Sequence, residues 1–203
     1  MLSVKGLKKK YKTVVFSGVD FSACPGSLTV IRGKNGAGKT TLLAAIGGLV
    51  PVEGQVLLDG EPLHARARQC FGLFDDSPLM TNLTGLENLV YLSGRFLSMR
   101  EVRHLVEDFF DPLLLGRRVS SYSLGQKKRL SLAAVFLSDA RVVLLDEPTN
   151  GLDDLGIEAF VKIMKAKKDA GCVLLASGHD RRAFSQVQDR VFELDKGRLV
   201  QCL

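Results

Sequence analysis

The sequence predicts an α/β fold: a mostly parallel central sheet, an antiparallel β subdomain at the N-terminus and an inserted block of helices. Three observations carry that prediction. Residues 28–31, 142–145 and 173–177 are short apolar runs without the polar alternation of a half-exposed strand, as expected of parallel strands covered on both faces. Each gives way to glycine or charged residues and then to a helical pattern, the strand-loop-helix order of parallel α/β units. From residue 84 to residue 137 the apolar period is helical throughout, so a helical insertion interrupts the strands.

The elements follow in chain order. Residues 2–4, 14–16 and 19–23 read as short β segments, with a turn at Pro25-Gly26 before the strand at 28–31. That strand enters Gly33-Lys34-Asn35-Gly36-Ala37-Gly38-Lys39-Thr40-Thr41, which fits the phosphate-loop pattern G-x-x-x-x-G-K-[ST], and a helix is predicted over 39–49. A strand at 54–58 ends on the turn pair Asp59-Gly60, and residues 70–74 form another short strand running into Asp75-Asp76-Ser77-Pro78. The insertion opens on Thr84, with Glu87 at capping-box spacing and Leu86, Leu89, Val90 and Phe96 as the expected apolar stripe. A second helix is predicted from Ser98 to Phe110, stopped before Pro112. Ser123 and Gln126 form another capping box, heading an amphipathic helix that continues over 127–137. After the strand at 142–145 come Asp146-Glu147-Pro148, a helix over 154–170, the strand at 173–177 ending at Gly178-His179-Asp180, a helix over 181–187 and a closing β pair about Lys196-Gly197. These readings make one domain of residues 1–203, with a core of about 1–83 and 138–203 and a helical subdomain of about 84–137.

Composition narrows the class. The 203 residues are 46% hydrophobic and 25% charged, which suits a globular chain able to bury a core. The apolar tract at 42–52 is broken by Gly47, Gly48 and Pro51 and is too short to cross a bilayer. The first residues lack the apolar stretch of a signal peptide, so a cytosolic location is expected. Cys24, Cys70, Cys172 and Cys202 make no C-x-x-C pair and no ligand spacing with the three histidines, so they are expected to be reduced and non-catalytic. The net charge of +6 suits nucleic acid, anionic lipid or a nucleotide-binding protein with solvated lysines. Residues 8–12 form the densest basic run, and Lys162, Lys165, Lys167 and Lys168 fit the wet face of a helix. The aromatic interleaving of single-stranded nucleic-acid binders is absent, and no nucleic-acid partner is expected.

The chemistry starts from the phosphate loop. Its glycines let successive backbone N–H groups converge on phosphate oxygens, the helix N-terminus adds partial positive charge, and Lys39 is expected to reach the β- and γ-phosphates. Thr40 would offer a hydroxyl to Mg²⁺. In an open parallel sheet the carboxyl ends of the strands share one edge, so the loop after Ile31, the pair Asp146-Glu147 and His179 can converge on one phosphate. Asp146 would then join Thr40 at the metal, Glu147 would act as base or orienter for the attacking water, and His179 would hold the γ-phosphate or that water. A P-loop NTPase core, binding a nucleoside triphosphate with Mg²⁺, follows from this set.

Over nearly the whole chain these residues resemble the ATP-binding cassette (ABC) ATPases, the nucleotide-binding subunits of ABC transporters. Gly33 to Thr41 matches that family's Walker A loop, residues 142–147 its Walker B strand with Glu147 as the catalytic carboxylate, Asn150-Gly151-Leu152-Asp153 its D-loop, and His179 its switch histidine. Tyr11 falls where the family stacks an aromatic ring on adenine. Tyr122-Ser123-Leu124-Gly125-Gln126 resembles the signature L-S-G-G-Q, with Tyr122 and Leu124 departing from it. The resemblance implies a head-to-tail dimer, homomeric or heteromeric, in which Ser123 and Gly125 of one protomer meet the γ-phosphate held by Lys39 of the other. It also implies transmembrane permease subunits as partners, a peripheral place on the cytoplasmic face of the membrane, and transport, with export of haem, drug, peptide or polysaccharide among the cargoes expected. Where the family carries a Gln that touches Mg²⁺ or the water, this chain has Asp75 or Asp76. A carboxylate can face the metal through water but cannot donate the hydrogen bonds of an amide. Two other functions compete: a soluble ABC ATPase acting on ribosomes or DNA, and a small-molecule kinase using the same phosphate loop.

Overall fold

Two sheets share one hydrophobic core. The computed structural model describes residues 1–63, 69–74 and 79–202. The first sheet is built from β1 (Leu2–Lys10), β2 (Val14–Ala23), β4 (Glu53–Leu58) and β5 (Glu61–Pro62), in the order β2-β1-β4-β5 with every pair antiparallel. The second holds β3 (Ser27–Arg32), β6 (Cys70–Leu73), β7 (Val142–Leu145), β8 (Val173–Ser177), β9 (Arg190–Asp195) and β10 (Arg198–Gln201). Its order is β10-β9-β3-β8-β7-β6; all neighbours run parallel except β10, which folds back on β9. The expected mostly parallel sheet and N-terminal antiparallel sheet are both present.

β1 and β2 are longer than the sequence suggests. Register shifts within β1 carry it through Lys8-Lys9-Lys10, and β2 runs unbroken across Ser17-Gly18. A bulge absorbs a local break in apolar alternation while the ladder continues, so alternation alone ends such strands too early. The Asp59-Gly60 and Lys196-Gly197 turns close two tight hairpins, with φ of 52° and 85° in the first and 44° and 77° in the second. Both central residues being left-handed is the geometry whose twist matches paired strands. β5, with Pro62 on an edge strand, is too short for a periodic signal.

All four residues of β7 and all five of β8 are buried, because both sheet faces are covered. Ile31, Val142, Leu144, Val173 and Leu175 point toward α1 (Lys39–Ile46) and the first sheet. Leu28, Val30, Val143, Leu145, Leu174 and Ala176 meet α6 (Asp154–Asp169) and one side of α5 (Leu124–Leu137) on the other face.

The insertion contains α2 (Gly85–Ser93), α3 (Met99–Val106), α4 (Pro112–Leu115), a 3-10 turn (Val119–Ser121) and α5, around a core of its own. The capping boxes at Thr84/Glu87 and Ser123/Gln126 both form, and a third at Ser98/Glu101 starts α3. Phe96 is not part of the apolar stripe: α2 ends at the left-handed Gly94, and Phe96 lies beyond it, fully exposed, while Leu86 and Leu89 are buried. Pro112 does not merely end a helix. Asp111 caps Leu113 N–H and Pro112 occupies the first turn of α4, where a missing N–H costs nothing. α5 is not amphipathic in the simple sense, since Leu130, Ala133 and Ala134 enter the insertion's core while Leu132 and Val135 enter the main one. α7 (Arg181–Phe184) is shorter than the 181–187 expected, and Phe184 sets an edge-on contact with Phe160 of α6.

Candidate functional site

Strand order brings the predicted chemistry together. β3, β8 and β7 are adjacent, with Ile31 paired to Ser177 and Ala176 to Leu145, so the residues that follow all three leave the sheet at one edge. There the loop from Gly33 to Gly38 turns into α1, Asp146-Glu147 follow β7, and Gly178-His179 follow β8.

Apart from the N–H of Ala37, the amides of residues 33–38 have no acceptor among the described residues. Gly38 begins α1 with φ 101°, no side chain caps the helix, and no acidic residue stands in its first turn. A Cβ on Gly38 would lie 2.6 Å from Cγ1 of Val15, so close approach as well as conformation demands glycine here. α2, α3, α5 and α6 all begin on a side-chain cap; α1 presents bare N–H groups and the positive end of its dipole. Ala37 N–H closes the loop on Lys34 O at 3.0 Å.

Lys39 is buried, and its Nζ donates to the carbonyls of Gly33 at 2.8 Å and Lys34 at 3.4 Å. It also lies 3.6 Å from Oε1 of Glu147, and Nε2 of His179 approaches the same oxygen at 3.9 Å. Lys39 and His179 thus flank the carboxylate of Glu147, which brings together the three residues assigned catalytic roles from sequence. Thr40 Oγ1 donates to Oδ2 of Asp146 at 2.6 Å, placing a hydroxyl and a carboxylate side by side. Tyr11, Asn35, Gly36, Gly38, Thr40 and Thr41 join Lys39, Asp146 and Glu147 around a cavity of about 410 Å³ at this edge. The Tyr11 ring is exposed at its mouth, with Lys9 Nζ 4.6 Å from the ring centroid.

Ser177 was not among the residues singled out from sequence. Fully buried, it donates through Oγ to Oδ1 of Asp146 at 2.5 Å and accepts the N–H of Glu147 at 2.9 Å. That second bond fixes a strained residue: Glu147 has φ 44°, a left-handed conformation that costs a non-glycine residue about 1 kcal/mol or more. Lys9, buried and anchored by a 2.7 Å bond to Pro51 O, was likewise read only as part of a basic run.

Ser123, Gly125, Gln126 and Asp153 stand elsewhere, lining a separate 610 Å³ cleft with Asp111, Arg129, Gly151 and Leu155. Ser123 Oγ accepts Gln126 N–H at 3.2 Å, and Gln126 Oε1 accepts Ser123 N–H at 2.9 Å. The cap uses a lone pair of Ser123, so the hydroxyl proton is still available to an anion. A Cβ on Gly125 would come 3.1 Å from Gly151 O, which explains a glycine at this crossing with the D-loop. Asp153 caps α6 through a 2.8 Å bond from Gly156 N–H. The two departures in this motif have different surroundings. Tyr122 is buried, stacks on Phe110 at 5.9 Å and donates its hydroxyl to Leu114 O; burial pushes the phenol up to about 12. Leu124 is exposed. Asp75 and Asp76 lie outside the described residues.

A bare-amide glycine loop, a buried lysine and two carboxylates at the edge of a parallel sheet define a P-loop nucleoside triphosphatase. Sequence comparison narrows that class, because the ABC transporter family profile matches residues 16–150. A lantibiotic transport ATP-binding protein, SrtF of Streptococcus pyogenes, is 30% identical over 98% of this chain and 89% of its own length. Among solved structures, an ATP-binding subunit of an ABC transporter superposes with TM-score 0.87 at 28% identity, covering 98% of this chain and 88% of that one. A dimeric post-hydrolysis state of the cassette MJ0796 with ADP and Pi shares the fold at TM-score 0.84, with 23% identity over 98% of this chain and 96% of its own. The chain belongs to the ABC transporter family, as an ATP-binding and ATP-hydrolysing subunit. Among the described residues no helix is long and apolar enough to cross a membrane.

Proposed function

We propose that this subunit pairs with a second cassette when it binds ATP, and that hydrolysis reopens the pair to drive transmembrane permease subunits from the cytoplasmic face of the membrane. The observation that carries this reading is the separation of the two anion-binding surfaces. The cavity holding Lys39 and Glu147 and the cleft holding Ser123, Gly125 and Gln126 have no lining residue in common. A nucleotide at Lys39 therefore leaves the signature cleft of its own protomer unused, and a head-to-tail partner supplies the match. The dimeric cassette of the same fold supports such pairing.

Within each half-site Lys39 and the loop amides grip the phosphates, Tyr11 stacks on the base, and Glu147 takes the proton of the attacking water while His179 orients it. Thr40 Oγ1 and Asp146 Oδ2 are the hard oxygen donors that Mg²⁺ prefers, and two protein oxygens completed by phosphate oxygens are a usual set for that ion. When bound, Mg²⁺ would neutralise charge developing between the β- and γ-phosphates. The relative named for lantibiotic transport supports a lantibiotic-class cargo.

The test is the mass of Glu147→Gln by light scattering with and without ATP, beside the ATPase rate of the parent. ATP should convert monomer to dimer while hydrolysis stalls. A chain that binds ATP and stays monomeric overturns pairing of the subunit with itself.

A further inference from the structure

A second cavity lies at the opposite edge of the parallel sheet. It measures 390 Å³ and opens where Arg141 enters β7 and Cys172 enters β8. A four-residue strand separates that end from Asp146, on the order of 15 Å at strand rise. Its charged lining comes from three parts of the chain: Arg95 follows α2, Asp139 and Arg141 precede β7, and Lys167 stands in the last turn of α6.

Lys167 was expected on the wet face of its helix, and it is not there. Only 6% of it is exposed, and its Nζ donates to Ser138 O at the end of α5. Among the described residues no carboxylate lies within 4 Å of that ammonium. A lysine is seldom buried without a counter-charge. Burial accordingly holds its pKa below the ordinary lysine value. Asp139, more than 4 Å away, the helix C-terminus and one carbonyl offer partial compensation only.

Among the described residues each neighbouring cation is held by one side-chain contact. Arg95 meets Asp139 through Nε at 3.3 Å, and Arg141 turns one terminal nitrogen to Asp59 at 2.5 Å. Three cations against Asp139 leave the lining with an excess of two positive charges, and counting Asp59 still leaves one. Guanidinium forks beside a desolvated ammonium suit a tetrahedral oxyanion, which accepts several charge-assisted bonds at once.

We propose that this cavity binds an anion of the phosphate class, free phosphate or a small phosphate monoester, between Arg95, Arg141 and Lys167. The bound anion supplies the counter-charge that Lys167 lacks at contact distance. It also ties the segment after α2 to the strands of the core, at an edge remote from nucleotide.

The experiment is calorimetric titration of the full chain, saturated with ADP so that the phosphate loop is already filled. Inorganic phosphate is the probe in one arm and glycerol 3-phosphate in the other. Saturable binding is expected in at least one arm, and the tighter arm identifies the source. Arg95→Gln and Lys167→Met should each weaken it about tenfold or more, as the loss of one charge-assisted bond requires. Arg95 is partly exposed, so its substitution tests the site even if Lys167→Met disturbs folding. Absence of saturable binding of both probes, or binding that Arg95→Gln leaves unchanged, overturns the proposal.

Discussion

Ser177→Ala removes one oxygen and two hydrogen bonds from the floor of the nucleotide site. The bond to Asp146 has a charged acceptor and contributes about 1.5–3 kcal/mol, and leaving the Glu147 N–H unpaired in a buried place costs about 1–3 kcal/mol more. A net loss of about 3 kcal/mol is expected, or roughly 6–12 °C in Tm for a chain of this size. Activity should fall as well, since the lost bond is the one that pins Glu147 in its left-handed conformation. A carboxylate free to swing gives up part of the factor of about 10²–10⁴ that a positioned base supplies, so kcat should drop roughly 10- to 100-fold. Urea unfolding and steady-state ATPase rates measure the two effects, with Ser177→Thr as the variant that keeps a hydroxyl. If Ser177→Ala unfolds within about 0.5 kcal/mol of the parent and hydrolyses ATP at the parental rate, the account of this floor is wrong.

Other expectations concern single contacts. Lys9→Met should weaken ATP binding about two- to fivefold in calorimetry, the worth of one cation–π contact that steadies the Tyr11 ring, and should leave kcat unchanged. Tyr122→Phe should cost about 1–2 kcal/mol in urea unfolding, because Leu114 O loses its buried donor while the ring still stacks on Phe110. Acid should loosen the insertion. Glu87 accepts the backbone N–H and then the hydroxyl of Thr84, Glu101 the hydroxyl and then the N–H of Ser98, and both carboxyls are held below their ordinary 4.5. A depressed folded value means stability that is present above 4.5 and lost as pH falls through the lower value. Between about pH 5 and pH 3 the urea midpoint should therefore fall less in Glu87→Gln/Glu101→Gln than in the parent.

What could be read from the sequence was what depends on near neighbours. The capping boxes at Thr84 and Ser123, the Asp59-Gly60 and Lys196-Gly197 turns and the phosphate loop each need only a few consecutive residues, and all five form. The convergence of Lys39, Glu147 and His179 needed one further rule, that parallel strands end on a common edge. Ser177 escaped because its partners are 30 and 31 residues away, across a strand pair, and a serine ending a strand carries no local mark. Lys167 was misplaced for a related reason. Its helical spacing puts it among solvated lysines, and only the packing of α6 against Ser138 buries it. Phe96 shows the reverse error: spacing continued the stripe past Gly94, where the backbone had already turned away.

The helical insertion keeps its own hydrophobic core, and two partly buried rings, Phe71 and Phe136, pack against both that core and the main one. A rigid block joined in this way can pivot by sliding two aromatic rings, without opening either interior to water. α5 is the natural axle, since its two faces are seated in different cores, and Ser123 sits at the axle's tip. A rotation of about 5° around that helix would carry α3, packed about 10 Å from the axis, through about 1 Å, while Ser123 itself scarcely moved. Amide exchange along the chain would then report two cooperative units with separate opening energies, and α5 would exchange with the slower of them.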